Sequence, residues 1–257
     1  MNPLFDLTGK VAIITGSSRG IGRAIAENMA RCGARVVISS RKHDACEEVA
    51  AAIRAEGGQA IAQAASIASR EELEALVARA REEWGQVDIL VCNAATNPYY
   101  GPLHGLSDEL FDKMMHNNVR SNLWLCNMVL PEMAERRDGA IIVISSIGGV
   151  RGNSTLGAYG ITKAADMALV RNLAVEWGPK NIRVTCIAPG LIKTDFARAL
   201  WEDPELLAHT EKMTPLSRLG TPDEIGGLAA CLASKAGAFI SGEVIVADGG
   251  MSISQGT

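Results

Sequence analysis

The chain lacks a basic block, paired cysteines and a long apolar run. Its 25 lysines and arginines are outnumbered by 29 aspartates and glutamates, and the formal net charge is −4. Nucleic-acid binding needs cationic side chains clustered on one face. We therefore expect no nucleic acid among its partners.

The cysteines stand singly, and none forms a C-x-x-C pair with another. Zinc sites commonly use such pairs, and disulfide frameworks use densely spaced cysteines. The pattern predicts no metal site and a reduced environment. The six cysteines are Cys32, Cys46, Cys92, Cys126, Cys186 and Cys231.

The N-terminal segment lacks the apolar run of a signal peptide, and the apolar stretch Val11–Thr15 is too short to span a bilayer. The last four residues match no recognised address signal. We therefore expect a soluble cytoplasmic protein with no membrane partner.

What the chain does contain is an alternation of short β-branched runs and longer helical patterns. Predicted strands lie at 11–15, 35–39, 59–64, 88–92, 140–145, 182–187 and 243–246. Predicted helices end near residues 32, 84, 136, 177 and 232, with one more carrying residues 47–53. Near-continuous apolar strands separated by helices are typical of a parallel sheet covered on both faces. The fold class predicted is α/β: a doubly wound Rossmann-type seven-stranded parallel sheet with helices on both faces, in a single domain over residues 1–257.

Two segments of this pattern carry further expectations. One long helix is predicted over about 108–136. The stretch of about 190–220 is predicted to be irregular, and it follows a strand's carboxyl end, where ligands bind in such folds. We therefore expect this stretch to be a substrate lid.

A glycine-rich turn joins the first strand to the first helix. Gly16 allows a tight turn, Gly20 lets the backbone approach a phosphate, and Gly22 lets helix and strand pack closely. The helix N-terminus would face a pyrophosphate. An ordinary βα turn is the alternative, but the position after the first strand favours dinucleotide binding.

The end of the second strand indicates which dinucleotide. NAD-binding folds tend to place a carboxylate there, whereas NADP-binding folds use a nearby arginine. Here Ser40 and Arg41 follow the strand, and Arg19 lies in the glycine turn. These groups suit a 2′-phosphate, so NADP(H) is predicted, although Arg41 and Lys42 at a solvated helix start is the alternative.

Tyr159 and Lys163 are four residues apart on one helix face. An ammonium near a phenol favours the phenolate, which suits a proton shuttle to a carbonyl oxygen. Such pairs are more often surface contacts, so the spacing alone is weak evidence.

Two neighbouring segments strengthen the case. Ser146 ends the fifth strand, and its hydroxyl is placed to polarise a substrate oxygen. Ser145 competes for that role, since successive strand side chains point to opposite faces. Asn118 lies inside the long predicted helix, an unfavourable place unless its amide is used, and Asn117 is expected on another face.

With these residues the chain resembles the short-chain dehydrogenase/reductase family in its compact single-domain form. The resemblance also rests on Cys92–Ala95 after the fourth strand, Ala188–Thr194 after the sixth, and Gly242–Gly250 around the last. Within that family, the segments after the fourth and sixth strands look like those of NADP-dependent carbonyl reductases and retinol dehydrogenases. One departure is Ser66, where the family commonly has an aspartate that holds the adenine amino group.

The resemblance implies a role for each matching residue. Tyr159 is the proton donor or acceptor, and Lys163 binds the nicotinamide ribose and lowers the pKa of the tyrosine. Ser146 orients the substrate oxygen, and Asn118 holds a relay water. Asn93 either contacts the adenosine side of the cofactor or stabilises the sheet. The expected cofactor-binding residues are Gly16, Ser18, Arg19, Gly20, Ile21, Gly22, Ser40, Arg41, Ser66, Ile67, Asn93, Ala94, Tyr159, Lys163, Pro189, Gly190, Ile192 and Thr194.

The segment after Ser146, the loop after Asn93 and the lid are expected to line the substrate pocket with mostly apolar side chains, which favours a ketone, aldehyde or secondary alcohol with a hydrophobic body. The residues expected to bind the substrate are Ser146, Asn153, Tyr159, Leu191 and Phe196. The resemblance also implies self-association through the helices near 108–136 and 157–178, as a homotetramer or, as the alternative, a dimer.

Three functions therefore stay open. The first is NADP(H)-dependent transfer of a hydride between the nicotinamide and a carbonyl or secondary alcohol. The second is reduction of a 3-oxoacyl thioester on a carrier protein or coenzyme A. The third is a non-catalytic NADP(H)-binding regulatory subunit, against which the complete set of four catalytic candidates argues.

Overall fold

The computed structural model describes residues 2–254, apart from the side chains of residues 199 and 200. The predicted domain span of 1–257 therefore extends beyond the described residues at both ends. Within them, seven strands form one sheet in the order β3-β2-β1-β4-β5-β6-β7, and every pair is parallel. The strands are β1 (Val11–Thr15), β2 (Arg35–Ser39), β3 (Gln59–Ala62), β4 (Ile89–Cys92), β5 (Gly139–Ile144), β6 (Ile182–Pro189) and β7 (Val244–Ala247).

The predicted doubly wound sheet is confirmed, because helices cover both of its faces. The helices are α1 (Gly20–Arg31), α2 (His43–Ala55), α3 (Arg70–Trp84), α4 (Asp108–Met115), α5 (Ser121–Arg136), α6 (Gly157–Trp177), α7 (Arg198–Trp201), α8 (Pro204–Met213) and α9 (Pro222–Ala233). Strand β1 shows how the alternation works: Ala12 and Ile14 join the core under α1, α2 and α9, while Val11 and Ile13 join the core under α3, α5 and α6.

The helix predicted over 108–136 is present as one continuous helical run, but a π-helical turn divides it into α4 and α5. Helix α4 ends at Met115, the turn spans His116–Arg120, and the Ser121 N–H donates to the His116 carbonyl five residues earlier. The wider turn changes the helical phase. As a result Asn117 and Asn118 are both buried, and both contact Thr96, so the expectation that Asn117 faces elsewhere is wrong.

The stretch of 190–220, predicted to be irregular, contains two helices, α7 and α8. The signal for α8 was present: Asp203 accepts hydrogen bonds from the backbone of Glu205 and Leu206, and Pro204 occupies the first turn. Apolar periodicity did not reveal α8, because no residue of that helix is buried.

The described residues also contain no helix long and apolar enough to cross a membrane. Among residues 2–254, no group of three or more histidine, cysteine or acidic side chains is placed to hold a metal ion.

Candidate active site

Three glycines bring the loop after β5 against helix α6. A Cβ on Gly160 would lie 2.5 Å from the Gly148 carbonyl oxygen, and a Cβ on Gly149 would lie 2.8 Å from the Lys163 carbonyl carbon. A side chain at either position would push the loop away from the helix. A Cβ built on Gly148 would lie 3.4 Å from Ser146 Oγ and 4.0 Å from Tyr159 Cδ1. Ser146 and Tyr159 therefore border the same small space.

The two serines at the end of β5 have different partners. Ser145 is buried, and its hydroxyl donates to the Lys163 carbonyl oxygen at 2.8 Å. Ser146 Oγ accepts from the Gly148 N–H at 3.0 Å and lies on the Tyr159 side of the loop. The alternation predicted from the strand thus leaves Ser146 as the serine facing Tyr159, while Ser145 anchors α6.

Lys163 is 2% exposed, although it carries an ammonium group. Its Nζ lies 5.7 Å from the centroid of the Tyr159 ring and donates to the Ile144 carbonyl oxygen at 2.9 Å. Burial raises the pKa of Tyr159, the Lys163 ammonium opposes that rise, and Asp166 adds to it. The expected effect of the ammonium is present, but burial outweighs it and the pKa of Tyr159 is raised.

Sequence reasoning missed Asp166, which lies one helical turn beyond Lys163. Its carboxylate is fully buried, and Oδ2 accepts from Lys163 Nζ at 3.0 Å. Burial works to lower the pKa of Lys163, but the charge of Asp166 and the contact with Tyr159 outweigh it and raise the pKa. An aspartate three residues after a lysine on a helix ordinarily indicates a surface ion pair, so only its burial distinguishes this one.

Asn118 is fully buried at the π-helical turn and ties the loop after β4 to α6. Its Oδ1 accepts from the Thr96 N–H at 2.8 Å, and its Nδ2 donates to the Thr96 carbonyl oxygen at 2.9 Å and to Thr162 Oγ1 at 3.2 Å. Thr162 Oγ1 in turn donates to the Tyr159 carbonyl oxygen at 2.8 Å. Asn118 is thereby coupled to the helical turn that carries Tyr159.

The glycine turn presents bare backbone at the start of α1. Gly16 and Gly20 have φ values of +65° and +57°, which disfavour other residues. A Cβ on Gly22 would collide with the Gly16 carbonyl oxygen, so helix α1 could not start so close to β1. Bare backbone at a helix N-terminus fits an anionic phosphate. The residues present therefore fit a nicotinamide dinucleotide at this turn.

The Asn93 side chain bonds to the end of β1 and to the glycine turn. Its Nδ2 donates to the Thr15 carbonyl oxygen at 2.9 Å and to that of Gly16 at 3.2 Å. Thr15 Oγ1 accepts from the backbone N–H groups of Asn93 and Ala94 at 3.0 and 3.1 Å. These bonds fix the glycine turn against the loop after β4.

The residues expected on the adenosine side lie at the carboxyl ends of β2 and β3. Arg41 and Arg19 are both exposed, and within residues 2–254 neither forms an ion pair with a carboxylate. Ser40 Oγ lies 3.1 Å from Cys46 Sγ. Ser66 accepts from the Ala68 N–H at 3.3 Å, and Ile67 beside it is partly exposed.

The segment after β6 lies opposite the glycine turn. A Cβ on Gly20 would lie 3.4 Å from Thr194 Cγ2, so Thr194 faces the turn directly. Trp201 Nε1 donates to the Thr194 carbonyl oxygen at 2.8 Å, and Ile192 is buried. Pro189 ends β6 beside Ala247, and Gly190 packs closely on Asp248.

The expected substrate residues are only partly brought together. The Phe196 ring is 62% exposed, and its centroid lies 6.5 Å from that of Tyr159. Asn153 is exposed, and its Oδ1 accepts from the Thr155 and Leu156 N–H groups at 2.8 Å each, which shapes the loop before α6. Leu191 lines a cavity of about 260 Å³ together with Leu216 and Gly249, and none of the four catalytic candidates lines that cavity.

Comparisons with known proteins agree with this geometry. A family model described as Enoyl-(Acyl carrier protein) reductase matches residues 16–252. A Sus scrofa protein, Dehydrogenase/reductase SDR family member 4, is 40% identical over 244 residues, which cover 95% of this chain and 88% of the relative.

Two solved structures superpose closely on the chain. One is a 7 alpha-hydroxysteroid dehydrogenase complexed with NADH and 7-oxo glycochenodeoxycholic acid, with a TM-score of 0.93, 39% identity and 97% of each chain covered. The other is a gluconate 5-dehydrogenase from Burkholderia cenocepacia J2315 in complex with NADP and tartrate, with a TM-score of 0.93, 31% identity and 98% of each chain covered. With the fold, the glycine turn and the matched length in agreement, the chain belongs to the short-chain dehydrogenase/reductase family of oxidoreductases.

Proposed function

We propose that the chain is an NADP(H)-dependent oxidoreductase that interconverts a ketone or aldehyde and a secondary alcohol with a largely apolar body. The observation that carries the proposal is the position of Tyr159. It lies one helical turn from a buried ammonium, across Gly148 from the Ser146 hydroxyl. Tyr159 is the general acid or base of the reaction.

The mechanism assigns each polar group one task. When bound, the nicotinamide supplies or accepts a hydride at the substrate carbon. The Ser146 hydroxyl orients the substrate oxygen, and Tyr159 donates a proton to that oxygen or takes one from it. Lys163 holds the nicotinamide ribose with its free N–H and stabilises the phenolate, while Asn118 fixes the helical turn below Tyr159.

Burial raises the pKa of Tyr159, so the phenol holds its proton and can act as an acid toward a carbonyl oxygen. The reverse reaction, alcohol oxidation, requires the phenolate, which the Lys163 ammonium favours.

Apolar side chains near the site support a hydrophobic substrate body. Phe196 is 62% exposed and its ring centroid lies 6.5 Å from that of Tyr159, and Leu103 is 52% exposed and packs against Gly157 at the start of α6. Such side chains suit the steroid skeleton bound by one structural neighbour better than the polyol chain named for the other. A rival function, 3-oxoacyl-thioester reduction, is favoured by the description of the matching family model.

Steady-state kinetics separate these functions. With NADPH, we expect bulky aromatic or alicyclic ketones to give a kcat/KM at least about tenfold above that of acetoacetyl thioesters, because about 1.4 kcal/mol of extra apolar contact is enough for this ratio. The reverse order would identify a thioester reductase. Absence of turnover over a broad carbonyl panel would contradict both.

The preference for NADP(H) rests on Arg41 and Arg19, which are exposed and free of ion pairs in the described chain. We expect Arg41→Ala to weaken NADPH binding about ten- to a hundredfold, since a charge-assisted hydrogen bond to phosphate is lost. NADH binding should change less than about twofold, because NADH lacks the phosphate. Fluorescence titration of both cofactors measures the two effects.

Arg31→Ala is the matched control for Arg41→Ala. Arg31 is also an exposed arginine, but it lies at the far end of α1 beside Glu56. Arg31→Ala should leave the affinities for NADPH and NADH unchanged. An equal loss of NADPH and NADH affinity in Arg41→Ala would remove the argument for NADP(H).

Three further assignments belong to the same proposal. The segment 190–220 acts as a substrate lid, supported by the contact of Thr194 with the glycine turn and of Phe196 with Tyr159. The protein is cytoplasmic. It assembles as a homotetramer, supported by exposed apolar side chains on α5, α6 and β7, namely Leu123, Ile161, Val175 and Val246.

A further inference from the structure

Asp166 is a fully buried carboxylate to which the proposed mechanism gives no task. Burying an ionised group costs several kcal/mol unless it is paired and hydrogen-bonded. Asp166 Oδ2 accepts from Lys163 Nζ at 3.0 Å, and Oδ1 accepts from Asn122 Nδ2 at 2.9 Å. Both oxygens are therefore held, and the negative charge lies against the lysine that neighbours Tyr159.

The ammonium of Lys163 has three N–H donors, and the structure accounts for two of them. One goes to Asp166 and one to the Ile144 carbonyl oxygen at 2.9 Å. These two bonds fix the direction of the third donor. Asp166 thus helps to determine where Lys163 presents its remaining N–H and its charge.

Asn122 extends the network to the π-helical turn. Its Nδ2 also donates to the Asn118 carbonyl oxygen at 2.7 Å. Lys163, Asp166, Asn122 and Asn118 therefore form one buried chain of hydrogen bonds, and each of these four residues is at most 2% exposed.

The other titratable groups around Lys163 are neutral thiols and Tyr159 itself. Burial raises the pKa of Cys186 to about 12. The pKa of Cys92 is raised well above its usual value by the hydrogen bond with Cys126 and by burial. Asp166 is therefore the one carboxylate that acts on Lys163 from the elements packed around it within the described residues.

We propose that Asp166 is a positioning residue, which fixes the Lys163 ammonium beside Tyr159 and offsets part of its positive charge. The inference rests on the proposed role of Tyr159 as acid or base. Its consequence is that Tyr159 keeps its proton to higher pH than it would beside an unpaired ammonium. The site is thereby adjusted toward proton donation, the step that carbonyl reduction needs.

The test measures the ionisation of Tyr159 directly. The chain has three tyrosines, so Tyr99→Phe with Tyr100→Phe leaves Tyr159 as the only one. In this background, full-length protein labelled with [¹³Cζ]tyrosine is titrated by NMR, with Asp166 intact and with Asp166→Asn. We expect the phenolate-to-phenol ratio of Tyr159 at a given pH to rise about tenfold in Asp166→Asn, a shift of about one pH unit downward.

Asn122→Leu is the matched control, because it breaks the same buried network without changing a charge. Asn122→Leu is expected to lower the stability of the fold but to leave the titration midpoint of Tyr159 unchanged. If Asp166→Asn does not fold, Asp166→Ser removes the same charge with a smaller, neutral polar side chain.

An unchanged or higher titration midpoint of Tyr159 in the Asp166 variant would overturn the inference. An equal shift of that midpoint in Asn122→Leu would overturn it as well. The titration needs no substrate, so it reports on Asp166 even if no carbonyl is reduced. With an active substrate, the high-pH limit of carbonyl reduction should move down by the same amount in Asp166→Asn. A purely structural role would lower activity at every pH without moving that limit.

Discussion

Tyr159→Phe should lose almost all turnover while it keeps its cofactor. The phenylalanine ring fills the same partly buried space beside Phe196 and above Lys163, so the fold and the glycine turn are untouched. Only the proton donor is removed. General acid–base catalysis typically contributes about 10²–10⁴-fold, so we expect kcat to fall by about a thousandfold.

Tyr100→Phe is the natural control, because Tyr100 is an exposed tyrosine outside the proposed set of catalytic residues. It should keep most of the activity. Cofactor affinity, measured by fluorescence, should be the same in both variants. Retained turnover in Tyr159→Phe would transfer the acid role to another group, and a wild-type protein that binds NADPH without any turnover would favour the regulatory-subunit alternative.

The sheet was predictable from the sequence because its five central strands are buried on both sides. Continuous apolar runs such as Val11–Thr15 and Ile182–Pro189 have few other stable environments, and the helices between them leave parallel connection as the natural arrangement. The tight turn was equally predictable from the glycines at 16, 20 and 22, since each meets a separate geometric requirement of the turn. The sequence predicted the structure most accurately where a local geometric requirement and the overall fold called for the same residues.

The π-helical turn was not predictable, because one extra residue in a helix leaves the polar and apolar pattern on either side almost unchanged. Its effect is nevertheless large at the site: it places the side chains of both Asn117 and Asn118 against Thr96. A pair of adjacent asparagines within a predicted helix was the available signal, since asparagine is unfavourable there.

Asp166 escaped prediction for a different reason. Charged residues three apart on a helix usually lie on a solvated face, and sequence alone does not show which face of α6 meets the sheet. Burial turns the same pair into part of the site. When a helix carries proposed catalytic residues, the burial of any carboxylate one turn further along the helix should be examined.

The pair of Lys163 and Asp166 leads to a second large effect, on stability. Lys163→Met leaves the Asp166 carboxylate buried without its counter-ion, and breaking a buried pair in this way costs about 3–5 kcal/mol. For a chain of this size we expect the melting temperature to fall by roughly 10 °C. Activity should be lost as well, since Tyr159 loses its neighbouring positive charge.

The loss of stability should depend on pH, with a sign that follows from Asp166. Burial already raises the pKa of Asp166 while the ammonium opposes the rise, so removing Lys163 raises that pKa further. The folded state then holds its proton more tightly than the unfolded state, whose pKa is about 3.9. Lys163→Met should therefore approach wild-type stability as the pH falls toward about 4, and the deficit should widen as the pH rises.

The double variant Lys163→Met with Asp166→Asn separates stability from catalysis. It contains neither charge, and the new amide still accepts from Asn122, so replacing the pair should be far less costly than breaking it. Calorimetry should show most of the lost melting temperature recovered and the pH dependence gone, while kcat stays as low as in Lys163→Met. A double variant no more stable than the single one would mean that the two side chains are not energetically coupled. Recovered activity would mean that Lys163 matters only because it neutralises Asp166, and the proposed support of Tyr159 by the ammonium would then fail.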